Sequence, residues 1–374
     1  MKAVRPLLLL AAGAFIAACL TSRPASAQSS YLAVSEIVNT NGQGQVLIYK
    51  DAATPTLAAT ISGHGLTNPY GMAFYTTASS NDLYIASLGS NQIFDYNLNT
   101  STISSVINLG GTGHYQPNDL VVSNGNLYVS MFDAGSPANA GAVLEYSLTN
   151  PHAPSLLASF SGGGLQAPTG LAVNGSTVYV NSSQTGKLFD LPTVGTVPVP
   201  VPLTANGGGA DTLSAPAGML FNTVGQKTFL YDTNFFSKAP GSSYNEGIVS
   251  YQIAAGAGTF LGQTTAGFGN GTYTGGPADI VAGSGNQVFV SDYGDGLIYA
   301  YTADGSGSLT SQATYLNLGP NSTPGYMAYF TTGATVVTPD ITPVPEPSSI
   351  ALLSLGAVGG LIARYRYRRA NSPG

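Results

Sequence analysis

A proline-led pair of short strand-like runs recurs along this chain and constrains its fold more than any other feature. The clearest copy is PTGLAVNGSTVYV at 168–180, where an Asn174-Gly175 turn joins the two runs. The copies start at Pro69, Pro117, Pro168, Pro216, Pro277 and Pro324. Successive starts lie 48, 51, 48, 61 and 47 residues apart, so one insertion interrupts a steady period. A period of about 40 to 50 residues indicates stacked supersecondary units.

Each full unit contains four strand-like runs, as NPYGMAF, NDLYIAS, QIFDYNL and TISSVINL do within 68–109. Four short strands per unit are typical of a propeller blade. The chain starts with three runs that lack the proline-led strand, and its last repeat, TPGYMAYF, is an opening strand alone. We therefore predict an all-β, six-bladed β-propeller that joins its N- and C-terminal strands in one blade, because this closure removes a free sheet edge. Gly333 to Val337 leave a seven-bladed ring open as the minority interpretation.

Two irregular segments fit the same plan. The run VPVPVPL at 197–203 is predicted to be an outer edge strand, because Pro198, Pro200 and Pro202 cannot donate ladder hydrogen bonds. The insertion, Asn234 to Glu246, is predicted to lie between the second and third strands of the unit that opens at Ala215.

The unit pattern is Pro-x-Gly/Asp, three apolar residues, a turn, and then Leu/Val-Tyr/Phe-Val-Ser. It resembles the NHL-repeat and gluconolactonase-like six-bladed propellers from Tyr31 to about Phe330. WD40 propellers are disfavoured because the chain has no tryptophan. In gluconolactonase-like propellers, acidic and Asn side chains at the channel mouth hold a divalent metal that activates water. The resemblance therefore implies a fold, and it makes a metal-dependent hydrolase or lactonase one of the functions to test.

Residues 1–27 have the three parts of a secretory signal peptide. Lys2 and Arg5 precede an apolar run, and Ala25-Ser26-Ala27 supplies the small residues that signal peptidase accepts. We expect cleavage after Ala27. The alternative is a lipoprotein signal at 16–19, which would leave Cys19 lipidated.

The C-terminal end carries a second targeting segment. A Thr/Pro-rich linker leads to Val344, Pro345, Glu346 and Pro347, followed by the apolar run IALLSLGAVGGLIA and then Arg364, Arg366, Arg368 and Arg369. This order resembles the PEP-CTERM sorting signal of Gram-negative bacteria. The resemblance implies processing by an exosortase, a precursor held transiently in the inner membrane, and delivery to the cell surface or extracellular matrix. The arginines would hold the end of the short transmembrane segment in the cytoplasm; a plain tail anchor is the alternative.

These segments divide the chain into a signal peptide (1–27), a propeller (28–332), a linker with the PEP motif (333–349) and a transmembrane segment with a basic tail (350–374). The body from Gln28 to Pro343 contains sixteen acidic and only four basic residues. Such a surface repels phosphates, so nucleic acid is excluded as a partner. The single cysteine lies in the N-terminal apolar run, so the body forms no internal disulfide and no thiolate metal site.

Aligning the units sorts several carboxylates into two positions. Glu36, Asp232 and Asp292 are aligned at the end of the second strand, and Asp119 and Asp279 lie two residues after the opening proline. Equivalent positions of a propeller face the same ring, so these five residues are metal-site candidates at the channel mouth. Oxygen ligands suit a divalent cation such as Ca²⁺. The alternative is a structural role without a metal ion, in which Asp119 and Asp279 accept hydrogen bonds from turn amides. The three histidines, His64, His114 and His152, are expected to be solvated loop residues.

No motif of nucleophilic catalysis or phosphate binding is present in the sequence. The favoured function is a secreted, surface-sorted and non-enzymatic propeller that binds extracellular polysaccharide or a surface protein, as in a biofilm matrix. No catalytic residue and no certain cofactor are predicted. Signal peptidase and exosortase are the expected processing partners.

Overall fold

The computed structural model describes residues 29–37, 44–110, 115–133, 141–205, 208, 211, 213, 215–235, 246–265, 267–268 and 275–332. Within them, twenty-five β-strands form six small sheets and no helix occurs. The three strands nearest the N-terminus are β1 (Ser29–Glu36), β2 (Gln45–Lys50) and β3 (Thr56–Ile61). Blade 1 contains β4 (Pro69–Thr76), β5 (Asn81–Ser87), β6 (Gln92–Asn97) and β7 (Thr102–Asn108). Blade 2 contains β8 (Tyr115–Ser123), β9 (Asn126–Asp133), β10 (Gly141–Ser147) and β11 (Ser155–Phe160).

The second half of the chain continues the series with one addition. Blade 3 contains β12 (Pro168–Asn174), β13 (Thr177–Ser182), β14 (Lys187–Asp190) and β15 (Val199–Val201). Blade 4 contains β17 (Pro216–Val224), β18 (Lys227–Asn234), β19 (Gly247–Ala254) and β20 (Ala257–Thr264), and the short β16 (Leu203–Thr204) joins its outer edge. Blade 5 contains β21 (Pro277–Ala282), β22 (Gln287–Asp292), β23 (Leu297–Ala303) and β24 (Leu309–Asn317), and β25 (Pro324–Thr332) follows.

The ring closes as the sequence predicts. Strand β25 pairs antiparallel with β1, so blade 6 has the order β25-β1-β2-β3 and contains both ends of the described chain. The inner strands β4, β8, β12, β17, β21 and β25 contact one another in this order, and β25 returns to β4. The prediction of an all-β, six-bladed propeller is confirmed. The segment 333–337, on which the seven-bladed alternative rests, lies outside the described residues.

Each blade packs on its neighbours through alternating side chains of its strands. On β1, Tyr31 and Ala33 belong to the apolar cluster shared with blade 1, whereas Leu32 and Val34 belong to the one shared with blade 5. Successive side chains of a strand point to opposite faces, which explains the division. Six such clusters occupy the six blade interfaces. Because both faces of each sheet are covered, the strands are apolar on both sides.

The two irregular segments are placed as predicted, with one feature that the sequence did not reveal. Strand β15 is the outer strand of blade 3, and Pro200 lies on it opposite Phe189. The chain then crosses to blade 4, where β16 pairs parallel with β20 and the Gly258 amide donates to the Pro202 carbonyl over 3.0 Å. The outer edge of blade 3 therefore ends in this proline-rich segment, and the chain continues from it to blade 4. The insertion falls between β18 and β19, and its residues 236–245 lie outside the described part.

Candidate functional site

The residue two positions after each opening proline lies on the inner strand of its blade. Around the ring this position holds Gly71, Asp119, Gly170, Gly218, Asp279 and Tyr326. Asp119 on β8 and Asp279 on β21 belong to blades 2 and 5, which lie opposite each other in the six-membered ring. These two carboxylates line one cavity of about 540 Å³ together with apolar residues of the inner strands. Of the five predicted metal candidates, the structure brings this pair together.

Both channel carboxylates accept backbone hydrogen bonds from inner strands. Asp119 Oδ1 accepts from its own neighbour Leu120 N at 2.8 Å, and Oδ2 accepts from Leu171 N of blade 3 at 2.7 Å. Asp279 Oδ2 accepts from Met327 N of blade 6 at 2.7 Å. Each carboxylate therefore links its blade to the next one. This arrangement corresponds to the alternative in which the two aspartates accept hydrogen bonds from backbone amides, except that one donor lies on the next blade and not in a turn.

Burial dominates the ionisation of this pair. It raises the pKa of Asp119 to about 7, although the amides of Leu171 and Leu120 favour the charged form. It raises the pKa of Asp279 well above its usual value, and the nearby Asp119 charge raises it further. Removal from water disfavours a carboxylate more than two or three amide donors can favour it. The channel thus contains two buried acids that carry less charge than surface aspartates.

Tyr326 occupies the corresponding position of blade 6. It is buried, its hydroxyl donates to Asn118 Oδ1, and its ring lies against Tyr70 with centroids 5.6 Å apart. Burial raises its pKa well above the ordinary tyrosine value, and the charges of Asp119 and Asp279 add to this. Tyr326 lines a second cavity, which is different from the one that Asp119 and Asp279 share.

The second cavity opens where the inner strands begin and has a volume of about 560 Å³. Its described lining consists of six aliphatic, five aromatic and four neutral polar residues. The aromatic and amide members are Tyr70, Phe132, Phe235, Tyr293, Tyr326, Gln116 and Asn118. Phe235 and Tyr293 meet edge to face, with centroids 5.3 Å apart. We call this cavity the mouth cavity.

A second ring of polar side chains, which the sequence alignment passed over, joins the blades to one another. It lies one residue before the strand partner of each opening proline and consists of Ser35, Ser130, Asn181, Thr233 and Ser291, with the non-polar Ala86 at this position in blade 1. Ser130 Oγ, for example, accepts from Asp119 N at 2.9 Å and donates to Thr169 O of blade 3 at 2.6 Å. Thr233 and Ser291 make the same pair of contacts in their blades. The Ser that ends the Leu/Val-Tyr/Phe-Val-Ser pattern was the available signal in the sequence.

The predicted alignment of Asp232 is wrong by two residues. Asn234, not Asp232, pairs with the opening Pro216, and Asp232 pairs with Met219. Asp232 therefore takes the position that valine or isoleucine holds in the other blades, and it is fully buried at the interface of blades 3 and 4. Asn181 Nδ2 donates to its Oδ2 over 3.0 Å, and burial raises the pKa of Asp232 well above its usual value.

The remaining two candidates, Glu36 and Asp292, form hydrogen bonds with residues close to them. Glu36 accepts hydrogen bonds from the side chains of Ser322 and Gln45, at 2.5 Å from the Ser322 hydroxyl. Asp292 Oδ1 accepts from Gly294 N at 3.1 Å in the following turn, and burial raises the pKa of Asp292 to about 7. Neither residue lines the cavity that Asp119 and Asp279 share.

Among the described residues, the one group of three or more side chains with metal-ligand geometry is Asp82, Asp95 and His152, which the sequence patterns did not indicate. His152 was expected to be a solvated loop residue, yet its Nδ1 lies 2.6 Å from Asp95 Oδ2. His64 is exposed, and His114 lies outside the described residues. Asp95 and His152 are separated by 57 positions in the chain, so no local sequence signal indicates this group.

The processing residues predicted at both ends lie outside the described residues. These are Ala27, Cys19, Val344, Pro345, Glu346, Pro347, Arg364, Arg366, Arg368 and Arg369. In the part of the chain that is described, no helix is long and apolar enough to cross a membrane.

Comparison with known proteins identifies the C-terminal segment and the fold. Residues 343–369 match the PEP-CTERM protein-sorting motif. The fold is similar to that of a chain in the crystal structure of a nidogen/laminin complex (11% identity, TM-score 0.53, 80% of this chain and 98% of that one). It is also similar to a protein of unknown function from Bacteroides caccae (10%, TM-score 0.50, 81% and 99%). A putative 6-phosphogluconolactonase from Bacteroides fragilis matches at 13% identity with a TM-score of 0.49 (80% and 84%). No curated protein matches the sequence.

The closed ring of six sheets defines this chain as a six-bladed β-propeller, and the identities above support a shared fold alone. The motif match makes it a propeller that carries a PEP-CTERM sorting segment, as the sequence predicts. That segment implies an exported, exosortase-processed protein of the Gram-negative type.

Proposed function

We propose that this protein is a non-enzymatic binding protein of the cell surface or extracellular matrix, and that its mouth cavity holds an extracellular polysaccharide. The observation that carries the proposal is the composition of the cavity wall, which combines aromatic rings with amide and hydroxyl groups. Aromatic faces pack on the apolar faces of sugar rings, and amides both donate to and accept from sugar hydroxyls. A volume of about 560 Å³ is in the usual range of small-molecule sites.

The charge of the body also favours a neutral glycan. Sixteen acidic and four basic residues between Gln28 and Pro343 repel anionic polymers. The wall of the mouth cavity consists of uncharged side chains, so a neutral sugar loses no ion pair on leaving water. A surface protein that presents a sugar-like polar loop is the other partner that the sequence suggests.

Paired variants on one strand test the binding proposal. Tyr70 and Tyr75 lie near opposite ends of β4, are both half-buried, and pack against the same apolar cluster. We expect Tyr70→Ala to weaken binding of the producing bacterium's purified exopolysaccharide at least tenfold, because Tyr70 lines the mouth cavity. Tyr75→Ala is the control, with unchanged affinity. Microcalorimetry with oligosaccharide fragments measures both; equal affinities for the two variants would contradict the proposal.

A metal-dependent hydrolase or lactonase is the second candidate, and the opposed pair Asp119 and Asp279 favours it. Both carboxylates are buried, and the charge of Asp119 raises the pKa of Asp279, so the pair would gain from a bound cation such as Ca²⁺. Their oxygens already accept hydrogen bonds from backbone amides, and neither carboxylate lines the mouth cavity, so we place this function second. Calcium-dependent melting of wild type against Asp279→Asn tests it. An unchanged melting temperature with Ca²⁺ would remove this candidate.

The last part of the proposal concerns how the protein is processed and where it is delivered. Exosortase would process the precursor near Pro345-Glu346-Pro347 while the run at 350–363 crosses the inner membrane and the arginines hold its end in the cytoplasm. The released propeller then reaches the cell surface or matrix, where its polysaccharide ligand is found.

A further inference from the structure

Two buried aspartates and a histidine meet between blades 1 and 2, at the end of the blades opposite the mouth cavity. Asp82 lies on β5 and Asp95 on β6, and both face blade 2 beyond the apolar cluster that contains Tyr84. His152 belongs to the loop between β10 and β11 of blade 2. One ligand atom from each side chain lies within 4.8 Å of the other two.

Each aspartate has one carboxylate oxygen with no hydrogen-bond partner among the described residues. Asp82 is completely buried and Asp95 is 2% exposed, yet Asp82 Oδ2 and Asp95 Oδ1 accept no hydrogen bond. Buried polar groups are nearly always paired, and a buried charge is expected to have a partner or a metal ion. The single ion pair among the described residues is the one between His152 and Asp95. One histidine can offset at most one of the charges that two buried carboxylates can carry.

The surroundings hold the group in place. Ser80 Oγ and Asn97 Nδ2 donate to Asp82 Oδ1 over 2.6 and 2.9 Å, which leaves Oδ2 as the free oxygen. The Tyr84 hydroxyl donates to the Pro151 carbonyl over 2.8 Å and fixes the loop beside His152. Hydrogen bonds that orient the ligands in this way are a regular feature of metal sites.

We propose that Asp82, Asp95 and His152 form a binding site for one divalent zinc-class metal ion that joins blade 1 to blade 2. Two carboxylate oxygens and one imidazole nitrogen suit Zn²⁺, whereas Ca²⁺ takes six to eight oxygens. Tetrahedral bonds to Zn²⁺ place ligand atoms about 3.3 Å apart. The three ligand atoms lie within 4.8 Å of one another and would have to move closer together around the ion. The side chain of His152 is 53% exposed and lies on a loop, so it can make this movement.

The ionisation of the group agrees with this assignment. Burial and the neighbouring Asp82 raise the pKa of Asp95 to about 6, even though His152 favours its charged form. A divalent ion supplies the positive charge that this pair lacks. The site is separate from the mouth cavity and does not depend on the proposed polysaccharide binding.

Metal titration of the full chain tests the proposal. The protein is stripped with chelator and titrated with ZnCl₂ by calorimetry and thermal melting. We expect one Zn²⁺ per chain and a rise in melting temperature of about 5 °C at a concentration a hundred times Kd. CaCl₂ at equal concentration is expected not to compete with Zn²⁺ for this site, so the Zn²⁺ affinity measured by calorimetry should stay unchanged.

Two histidine variants separate the metal site from a simple ion pair. His152→Asn keeps a donor near the place of Nδ1 and removes the imidazole, so Zn²⁺ affinity should fall at least a hundredfold. His64→Asn changes a different exposed loop histidine, whose φ of 55° asparagine tolerates, and should bind Zn²⁺ as wild type does. If wild type binds no Zn²⁺, or if His152→Asn binds it unchanged, the proposal is overturned.

Discussion

Close contact between neighbouring inner strands limits which residues can stand beside the channel aspartates. A Cβ on Gly218 would lie 2.2 Å from Asp279 Oδ1 and 2.6 Å from its Cα, and a Cβ on Gly71 would lie 2.3 Å from the Cα of Asp119. These approaches involve the backbone of the next blade, which cannot move without disturbing the ring. The inner strand of the preceding blade therefore needs a glycine beside each of the two channel aspartates.

This packing predicts that Gly218→Ala is strongly destabilising. We expect a loss of about 3 kcal/mol in the free energy of unfolding, because the added methyl forces the inner strands of blades 4 and 5 apart. Gly262→Ala on β20 is the matched control, since a Cβ added there would have no other atom within 4 Å. Urea denaturation of both variants measures the difference. Similar losses in the two variants would contradict the packing argument.

The buried aspartates predict a stability that falls as pH rises. Burial raises the folded-state pKa of Asp119 and Asp292 to about 7, above the usual value of 3.8. A raised folded-state pKa gives stability that is complete below the unfolded-state pKa and is lost as pH rises to the folded-state value. We expect the melting temperature to decline from pH 4 to about 7. Above that pH these two aspartates should cause no further change.

Two variants assign this pH dependence. Asp119→Asn should flatten the decline, since each pKa unit is equivalent to about 1.4 kcal/mol. Asp304→Asn should leave it unchanged, because Asp304 is exposed and hydrogen bonds from Ser306 lower its pKa. A wild-type melting temperature that rises from pH 4 to 7 would show that these carboxylates are not buried in solution.

At the scale of elements, β25 is the strand on which the closed ring depends. It pairs with β1 and supplies Met327 to the apolar cluster shared with blade 5 and Phe330 to the one shared with blade 1. Met327 N also donates to Asp279. One strand thus contributes to two blade interfaces and to the channel.

A pair of truncations tests this dependence. A chain ending at 332 should unfold cooperatively, whereas a chain ending at 323 lacks β25, exposes the edge of β1 and should not form a stable ring. Circular dichroism and thermal melting of both chains, each starting at Gln28, give the comparison. Equal melting temperatures would mean that the closing strand contributes nothing to stability.

At the scale of the whole molecule, the sorting segment is expected to decide where the propeller ends up. Deleting 344–374 removes the PEP motif, the apolar run and the arginines while leaving every described residue intact. We expect the deleted protein to be exported but to lose its surface delivery, as measured by fractionation and immunoblotting. Glu346→Gln, which alters the motif alone, should slow processing of the precursor. Unchanged localisation of the deletion variant would contradict a sorting role.

Much of the architecture is predictable because propeller blades are local units. The opening prolines, the Asn174-Gly175 turn and the edge-strand prolines at 198–202 each act within one hairpin or one edge, so their meaning is written in adjacent residues. The closure by β25 also follows, since the incomplete first and last units complement each other. The sorting motif is read from continuous sequence in the same way.

The sites depend on contacts between blades, which no local pattern contains. Counting residues placed Asp232 at the end of its strand, whereas the pairing of Asn234 with Pro216 moves Asp232 into a core position beside Asn181. Tyr326 joins the lining of the mouth cavity only because the last strand pairs with β1 and closes the ring. Asp82, Asp95 and His152 likewise meet through packing of two blades. The sequence by itself determined the repeat, the ring and the address of this protein, because these follow from short-range patterns. The tertiary structure alone decided which polar side chains face one another, because that depends on the register and packing of strands far apart in the chain.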